Sequence, residues 1–219
     1  MVRAASRIRV LHQAVIAPLN LLYNFHWIVP GEAARSAQPY MGAMGAFLRG
    51  NGIKAVINLR GRHPDFGWWK YETETCAQLG ISHFDAMMDS RRLPLKDMLA
   101  ALFDAFDTAP QPFVIKCSGG QDRTSFAAAL YIVHRNGWSA MARALEQFAP
   151  FPYLHFPKKN QRWLRYFLSY AHAKSAGAPL GDWVRRDYDP QAFAQWLQEF
   201  GMADGFNGIW EPWKPPVRK

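Results

Sequence analysis

The stretch Phe113-Val-Ile-Lys-Cys117-Ser-Gly-Gly-Gln-Asp-Arg123-Thr124-Ser, running directly into Phe126-Ala-Ala-Ala-Leu-Tyr-Ile-Val133, constrains this chain more than any other. It predicts a buried strand, a seven-residue loop from Cys117 to Arg123, and an apolar helix from Thr124 to Asn136 with Gly137 as its C-terminal cap. Successive backbone N–H groups in such a loop can converge as an anion nest, and the helix N-terminus adds partial positive charge. Gly119 and Gly120 permit the backbone angles and the close approach this needs. Ser118, Gly119, Gly120, Gln121 and Asp122 are therefore the expected anion-binding residues.

The same positive field favours the thiolate of Cys117, whose free pKa would be roughly 8.5, and the thiolate is the nucleophilic form. Arg123 lies six residues later, where its planar fork can give two hydrogen bonds to a phosphoryl group. Thr124 can cap the helix and place its hydroxyl near the sulfur. The spacing of Cys117 and Arg123 alone is unspecific; strand, Cys, central glycines, Arg-Thr and immediate helix together point to phosphoryl chemistry. A Walker loop fails because Gly-Lys-Ser/Thr is absent, and a zinc site fails for want of Cys and His spacing, so no cofactor or metal is expected.

Elsewhere strand-like and helix-like periods alternate without internal repeats, which indicates an α/β fold with a central, mostly parallel sheet flanked by helices. Strands are predicted at 55–59, 81–84 and 112–116, helices around 41–50, 69–79, 95–106, 139–148, Trp163 to Leu168 and 189–200, and a linker from Ser175 to Pro179. Three segments are expected: 1–23 as a helical extension, 24–172 as the catalytic domain, and 173–219 as a helical and aromatic appendage. The appendage carries Trp210 and Trp213, whose expected fate is packing on the parent domain.

A net charge of +9 and a pI near 9.8 favour acidic partners. Two cysteines in 219 residues cannot form a disulfide framework, so a cytoplasmic setting is expected. Arg3, Arg7 and Arg9 precede an apolar run from Ala14 to Leu22 that Pro18 and Asn20 interrupt. That run is short of the roughly 20 apolar residues of a spanning helix and suits at most weak peripheral membrane contact.

Cys117, Arg123 and Thr124 match the Cys-x5-Arg-Ser/Thr signature, and the chain resembles the protein tyrosine and dual-specificity phosphatase superfamily. Asn24-Phe-His-Trp-Ile-Val-Pro-Gly-Glu32, Arg35-Ser-Ala-Gln-Pro39 and Phe156-Pro-Lys-Lys159 resemble the atypical plant and fungal dual-specificity phosphatases and their bacterial relatives. The resemblance covers about Asn24 to Ser169. It implies a phosphocysteine intermediate and a phosphorylated protein, lipid or small-molecule substrate, with no nucleic acid. It departs at Lys116, where most members have His, and at Gln121 and Asp122, where members acting on inositol pyrophosphates are basic. The most anionic substrates are disfavoured, while an Asp before the Arg, as in myotubularin-like lipid phosphatases, keeps phosphoinositides open. Phosphotyrosine or a small ester comes first.

A leaving alkoxide or phenolate needs a general acid. Asp89, in the loop Met87-Met-Asp-Ser-Arg-Arg-Leu-Pro94, is preferred over Asp122 and Asp85. The resemblance also places Lys158, with Lys159, beside the substrate; Arg60 and Arg62 are weaker rim candidates. Cys76 is either a buried bystander or, by resemblance to a lipid phosphatase, a redox partner for Cys117. Other readings are an inactive phosphate-binding module and a rhodanese-type sulfurtransferase, the latter disfavoured by Arg-Thr.

Overall fold

The structure, a computed structural model, describes residues 16–40, 42–200 and 208–215. Arg3, Arg7, Arg9 and the start of the apolar run lie outside the described residues. Residues 16–22 are helical, and no helix among the described residues is long and apolar enough to cross a membrane.

Backbone contacts group the chain into two compact units, Met1–Asp85 with Ala109–Gly120 and Ala86–Thr108 with Gln121–Lys219. The first holds a five-stranded sheet of β1 (His26–Val29), β2 (Ala33–Ser36), β3 (Ala55–Asn58), β4 (Ser82–Asp85) and β5 (Phe113–Lys116). Their order is β1-β2-β5-β3-β4; β1 pairs antiparallel with β2, and the other pairings are parallel. The sheet is the mostly parallel one that the alternation of strands and helices predicts. β5 is central and buried along its length, as an uninterrupted Phe-Val-Ile run requires.

Two strands escape the sequence reading, β1 and β2. β2 is Ala-Ala-Arg-Ser, a poor strand former by propensity, yet all four residues are buried because β5 pairs with it. Side chains alternate across the sheet, so Ala34, Val114 and Val56, which are in register, share one face. Helices α1 (Ala43–Gly50) and α2 (Gly67–Leu79) supply Met44, Phe47, Leu48 and Cys76 to the core on that face. Deleting the fully buried Phe47 side chain would cost about 3–5 kcal/mol.

The same alternation places Lys116, two residues beyond Val114, on the α2 side with its register partners Ser36 and Asn58. On α2, Glu72 and Cys76 are four residues apart and share the buried stripe. A carboxylate and an ammonium thereby meet inside the first unit.

The second unit contains α3 (Lys96–Thr108), α4 (Asp122–Asn136), α5 (Met141–Leu145), α6 (Trp163–Lys174), α7 (Leu180–Asp187) and α8 (Pro190–Glu199). α4 is buried continuously from Thr124 to Val133, which explains its run of apolar residues without an amphipathic period. The predicted 139–148 helix divides into α5 between short 3₁₀ turns, and α7 falls between the expected linker and α8. Asp189 caps α8 by accepting from the Gln191 N–H, with Pro190 at the first helical position.

An aromatic cluster binds this unit: Phe167 meets Phe126, Tyr188 and Phe193 at ring distances of 5.3, 5.4 and 5.4 Å. The tail joins it. Trp210 is buried and donates from Nε1 to the Asn160 carbonyl at 2.9 Å, while the Trp213 N–H donates to Leu93 at 2.7 Å. Trp210 therefore packs inward, while Trp213 is pinned to Leu93 through its backbone.

Candidate active site

In the first unit, β5 ends at Lys116, and Cys117 follows it as a buried residue. The next residues are held through their carbonyls. Ser118 O accepts from the Gln38 N–H at 3.1 Å, and Gly120 O accepts from Asn24 Nδ2 and Arg35 Nη2, each at 3.0 Å. A trans peptide sets N–H opposite C=O, so these bonds turn the N–H groups of Gly119 and Gln121 the other way, as an anion nest needs. Gly120 has φ +63°, and a Cβ there would lie 2.5 Å from the Ala37 nitrogen. Only glycine fits.

The residues doing this holding were missed as functional positions. Asn24 and Arg35 both stand in segments that carry the family resemblance, which was the available signal. Arg35 is fully buried, and no local pattern predicts a buried arginine whose guanidinium serves a backbone carbonyl.

Beneath Cys117 lies a buried polar network. Lys116 Nζ is 2.5 Å from Glu72 Oε2 and donates to Gln38 Oε1 at 2.7 Å. Gln38 Nε2 also donates to Glu72, whose other oxygen lies 2.8 Å from His83 Nε2. Burial pushes the Lys116 ammonium down to about 8 against the raising effect of Glu72. Glu72 itself is held below its ordinary range: burial opposes the charge, and bonding from His83, Lys116 and Gln38 outweighs it. Gln38 thus links this network to the backbone of the loop.

Asp85 accepts from Asn58 Nδ2 at 2.7 Å and from Trp69 Nε1, a commitment that fits its low ranking as an acid. Cys76 sits in the apolar core, where burial, aided by the Glu72 charge, pushes its thiol up to about 12. It is a protonated thiol at neutral pH, which favours the bystander reading.

The second unit takes over at Gln121. Helix α4 begins at Asp122 rather than Thr124, with Gln121 at the cap position and no side-chain capping bond. Thr124 is therefore inside the first turn and does not cap the helix, because Gln121 O already accepts the Ser125 N–H. The Thr124 hydroxyl is buried without a hydrogen-bond partner among the described residues.

Asp122 Oδ2 accepts from Gln161 Nε2 at 2.8 Å, and its Oδ1 lies 3.3 Å from Nδ1 of buried His155. Gln161 Nε2 also donates to Ser90 Oγ at 2.9 Å, and Gln161 Oε1 accepts the Lys158 N–H. One amide so ties the Asp89 loop, the start of α4 and the Lys158 segment together. Arg123 Nη1 reaches to 3.5 Å from the Met88 carbonyl, one residue before Asp89. Neither Gln161 nor His155 was singled out from sequence, since a Gln two residues beyond a basic pair carries no chemical signature.

Asp89 is half-buried, and its Oδ1 accepts the Arg91 N–H at 2.8 Å. Its Oδ2 has no hydrogen bond among the described residues. Asp89 opens on a cleft of about 510 Å³ lined also by Arg91, Arg92, Asn160, Ile209 and Glu211. Arg92 pairs with Glu211 at 2.6 Å, and Leu93 bridges to Pro212, so the tail braces this loop. Lys158 and Lys159 are exposed.

No family model matches the sequence, and no curated protein does. Solved structures do match. Pseudomonas aeruginosa TpbA superposes with a TM-score of 0.52 at 21% identity over 74% of this chain and 89% of its own. The active form of Tk-PTP gives 0.52 at 17% over 67% and 96%, and a DUF442 protein of Shewanella putrefaciens CN-32 gives 0.51 at 19% over 67% and 88%. The chain has the fold of the tyrosine and dual-specificity phosphatases. At these identities it is the fold that is shared, and the chemistry rests on the residues.

Proposed function

We propose that this chain is a cysteine-dependent phosphatase that hydrolyses phosphate monoesters through a phosphocysteine on Cys117. The observation that carries this is the phosphate loop: its carbonyls at Ser118 and Gly120 are drawn outward by Gln38, Asn24 and Arg35 around a position where only glycine fits. That arrangement does nothing for a buried bystander cysteine and suits an anion facing the opposite N–H groups.

In the first step the Cys117 thiolate attacks phosphorus, the ester P–O bond breaks, and a carboxylic acid protonates the leaving oxygen. Arg123 and the loop N–H groups hold the three non-bridging oxygens, where the charge of the loose transition state resides. In the second step water attacks the phosphocysteine, the P–S bond breaks, and the proton of water passes to the carboxylate made in the first step. Thr124 would donate to the departing sulfur, a use that fits its buried hydroxyl.

Asp89 suits the acid role, because one oxygen anchors its turn and the other is uncommitted, whereas both oxygens of Asp122 face Gln161 and His155. Asp122 then positions the start of α4. Lys158 would meet further substrate charge. Phosphotyrosine-containing protein or a small aryl phosphate is the preferred substrate, with a phosphoinositide as the alternative, in a reducing cytoplasmic setting.

The test is turnover of p-nitrophenyl phosphate, with thiosulfate as the sulfurtransferase control. Cys117→Ser should lose at least about a thousandfold in kcat yet bind orthophosphate, and Arg123→Lys should lose most activity because a point charge cannot replace the fork. Wild-type rates in Cys117→Ser would end the reading.

A further inference from the structure

The first unit carries a cluster beside Cys117 that the chemistry above does not use. The Leu59 N–H donates to the Lys116 carbonyl at 2.9 Å, so the chain leaving β3 runs directly alongside the residue that precedes the nucleophile. Arg60 comes next. Its guanidinium carbon lies 3.3 Å from the centre of the Trp68 ring, and its Nη1 donates to the Tyr40 hydroxyl at 3.2 Å. The Trp68 ring is in turn 5.4 Å from Lys116 Nζ. Tyr40 is exposed, while Arg60 and Trp68 are half-buried, so the group stands at the surface and is not part of the core.

Stacking on an indole fixes the plane of a guanidinium, and its N–H donors lie in that plane. Arg60 is therefore preorganised to present donors edgewise, where a solvated surface arginine would first have to be immobilised. Along these elements Lys116 and Arg62 add positive charge, and the one acid on the segment between Arg60 and Trp68, Asp65, is exposed to solvent. The buried acids on this side face elsewhere: Glu72 toward Lys116, Gln38 and His83, and Asp85 toward Asn58 and Trp69. The cluster also stands beyond the carboxyl ends of parallel strands, where ligands of open α/β sheets collect.

We propose that Tyr40, Arg60 and Trp68 form a second anion subsite, which recognises a phosphoryl or carboxylate group carried by the substrate beside the scissile phosphate. This rests on the reading of Cys117 as the nucleophile. Adjacent strands are spaced about 4.8 Å apart, which sets the Arg60 backbone beside the residues at Cys117, so the pair of anions this subsite would read is closely spaced. A vicinal bisphosphate meets this condition, and so does an acidic residue flanking a phosphorylated one.

Two substrate pairs separate these sources: an inositol monophosphate against a vicinal bisphosphate, and a phosphotyrosine peptide with a neighbouring Ala against one with Asp. Wild-type kcat/KM should favour the second member of one pair by roughly ten- to hundredfold, the range of a charge-assisted hydrogen bond. Arg60→Gln should remove that preference, and Trp68→Leu should weaken it with the charge intact. No preference in the wild type, or an equal fall for both members of each pair, would overturn the subsite. Binding keeps the subsite separable from catalysis. Even if the wild type hydrolyses none of these esters, pyrophosphate should bind more tightly than orthophosphate in calorimetry, and Arg60→Gln should abolish the difference; equal binding in the wild type would overturn the subsite by itself. Melting temperatures of the variants distinguish lost recognition from lost folding.

Discussion

Glu72→Gln tests the charge network beneath Cys117. The amide keeps the size of the side chain, turns one acceptor oxygen into a donor and removes the charge, which leaves Lys116 as an uncompensated ammonium at 1% side-chain exposure. Breaking a buried ion pair from one side costs about 3–5 kcal/mol. For a chain of this size that corresponds to a fall in Tm of about 6–20 °C. The pH dependence follows from Lys116, whose folded pKa of about 8 lies below the ordinary 10.5. The unfolded chain holds this proton more tightly than the folded one, so stability from this group rises with pH between about 8 and 10.5. Without Glu72 the folded pKa drops further and the rise starts at lower pH. The loss in Glu72→Gln is therefore largest at low pH, shrinks as pH rises from the variant's own lowered Lys116 pKa toward 8, and levels off above 8, where folding removes this proton in both proteins. Thermal melts of both proteins from pH 6 to 9 measure this, and Lys116→Met in the Glu72→Gln background should recover much of the loss by removing the orphaned charge. A loss under about 1 kcal/mol that does not change with pH would refute the reasoning.

Asp89→Asn should depress kcat strongly for phosphotyrosine and alkyl phosphates and spare substrates with very acidic leaving groups; the reverse pattern in Asp122→Asn would move the acid role to the loop. Gly120→Ala forces a Cβ against the Ser36–Ala37 backbone at a φ of +63°, and should abolish p-nitrophenyl phosphate turnover while lowering stability by about 1–3 kcal/mol. Gln161→Leu deprives Asp122, Ser90 and the Lys158 N–H of a shared partner; kcat should fall more than tenfold, with a stability loss of about 1–3 kcal/mol in urea melts.

Much of the fold was legible because the relevant rules are local. β5 and α4 announce themselves as an apolar run, a glycine turn and a second apolar run, and the predicted strands at 55–59 and 81–84 match β3 and β4 to within a residue or two. β2 was not legible. Ala-Ala-Arg-Ser becomes a strand only because β5 supplies its hydrogen-bond ladder, and a register partner 80 residues away leaves no trace in local periodicity. α7 was hidden behind Pro179, which reads as a linker and in fact immediately precedes the helix.

For the site, the sequence by itself determined which atoms can do chemistry: a thiol, a guanidinium, a hydroxyl and a few carboxylates. The tertiary structure decided their circumstances. It selected Asn24, Arg35 and Gln38 to hold the loop carbonyls, set Lys116 against Glu72, and gave Asp122 and Ser90 a common donor in Gln161. The physical reason is range: propensity and turn chemistry act over a few residues, whereas burial, charge compensation and the satisfaction of buried polar groups depend on whatever packing brings alongside.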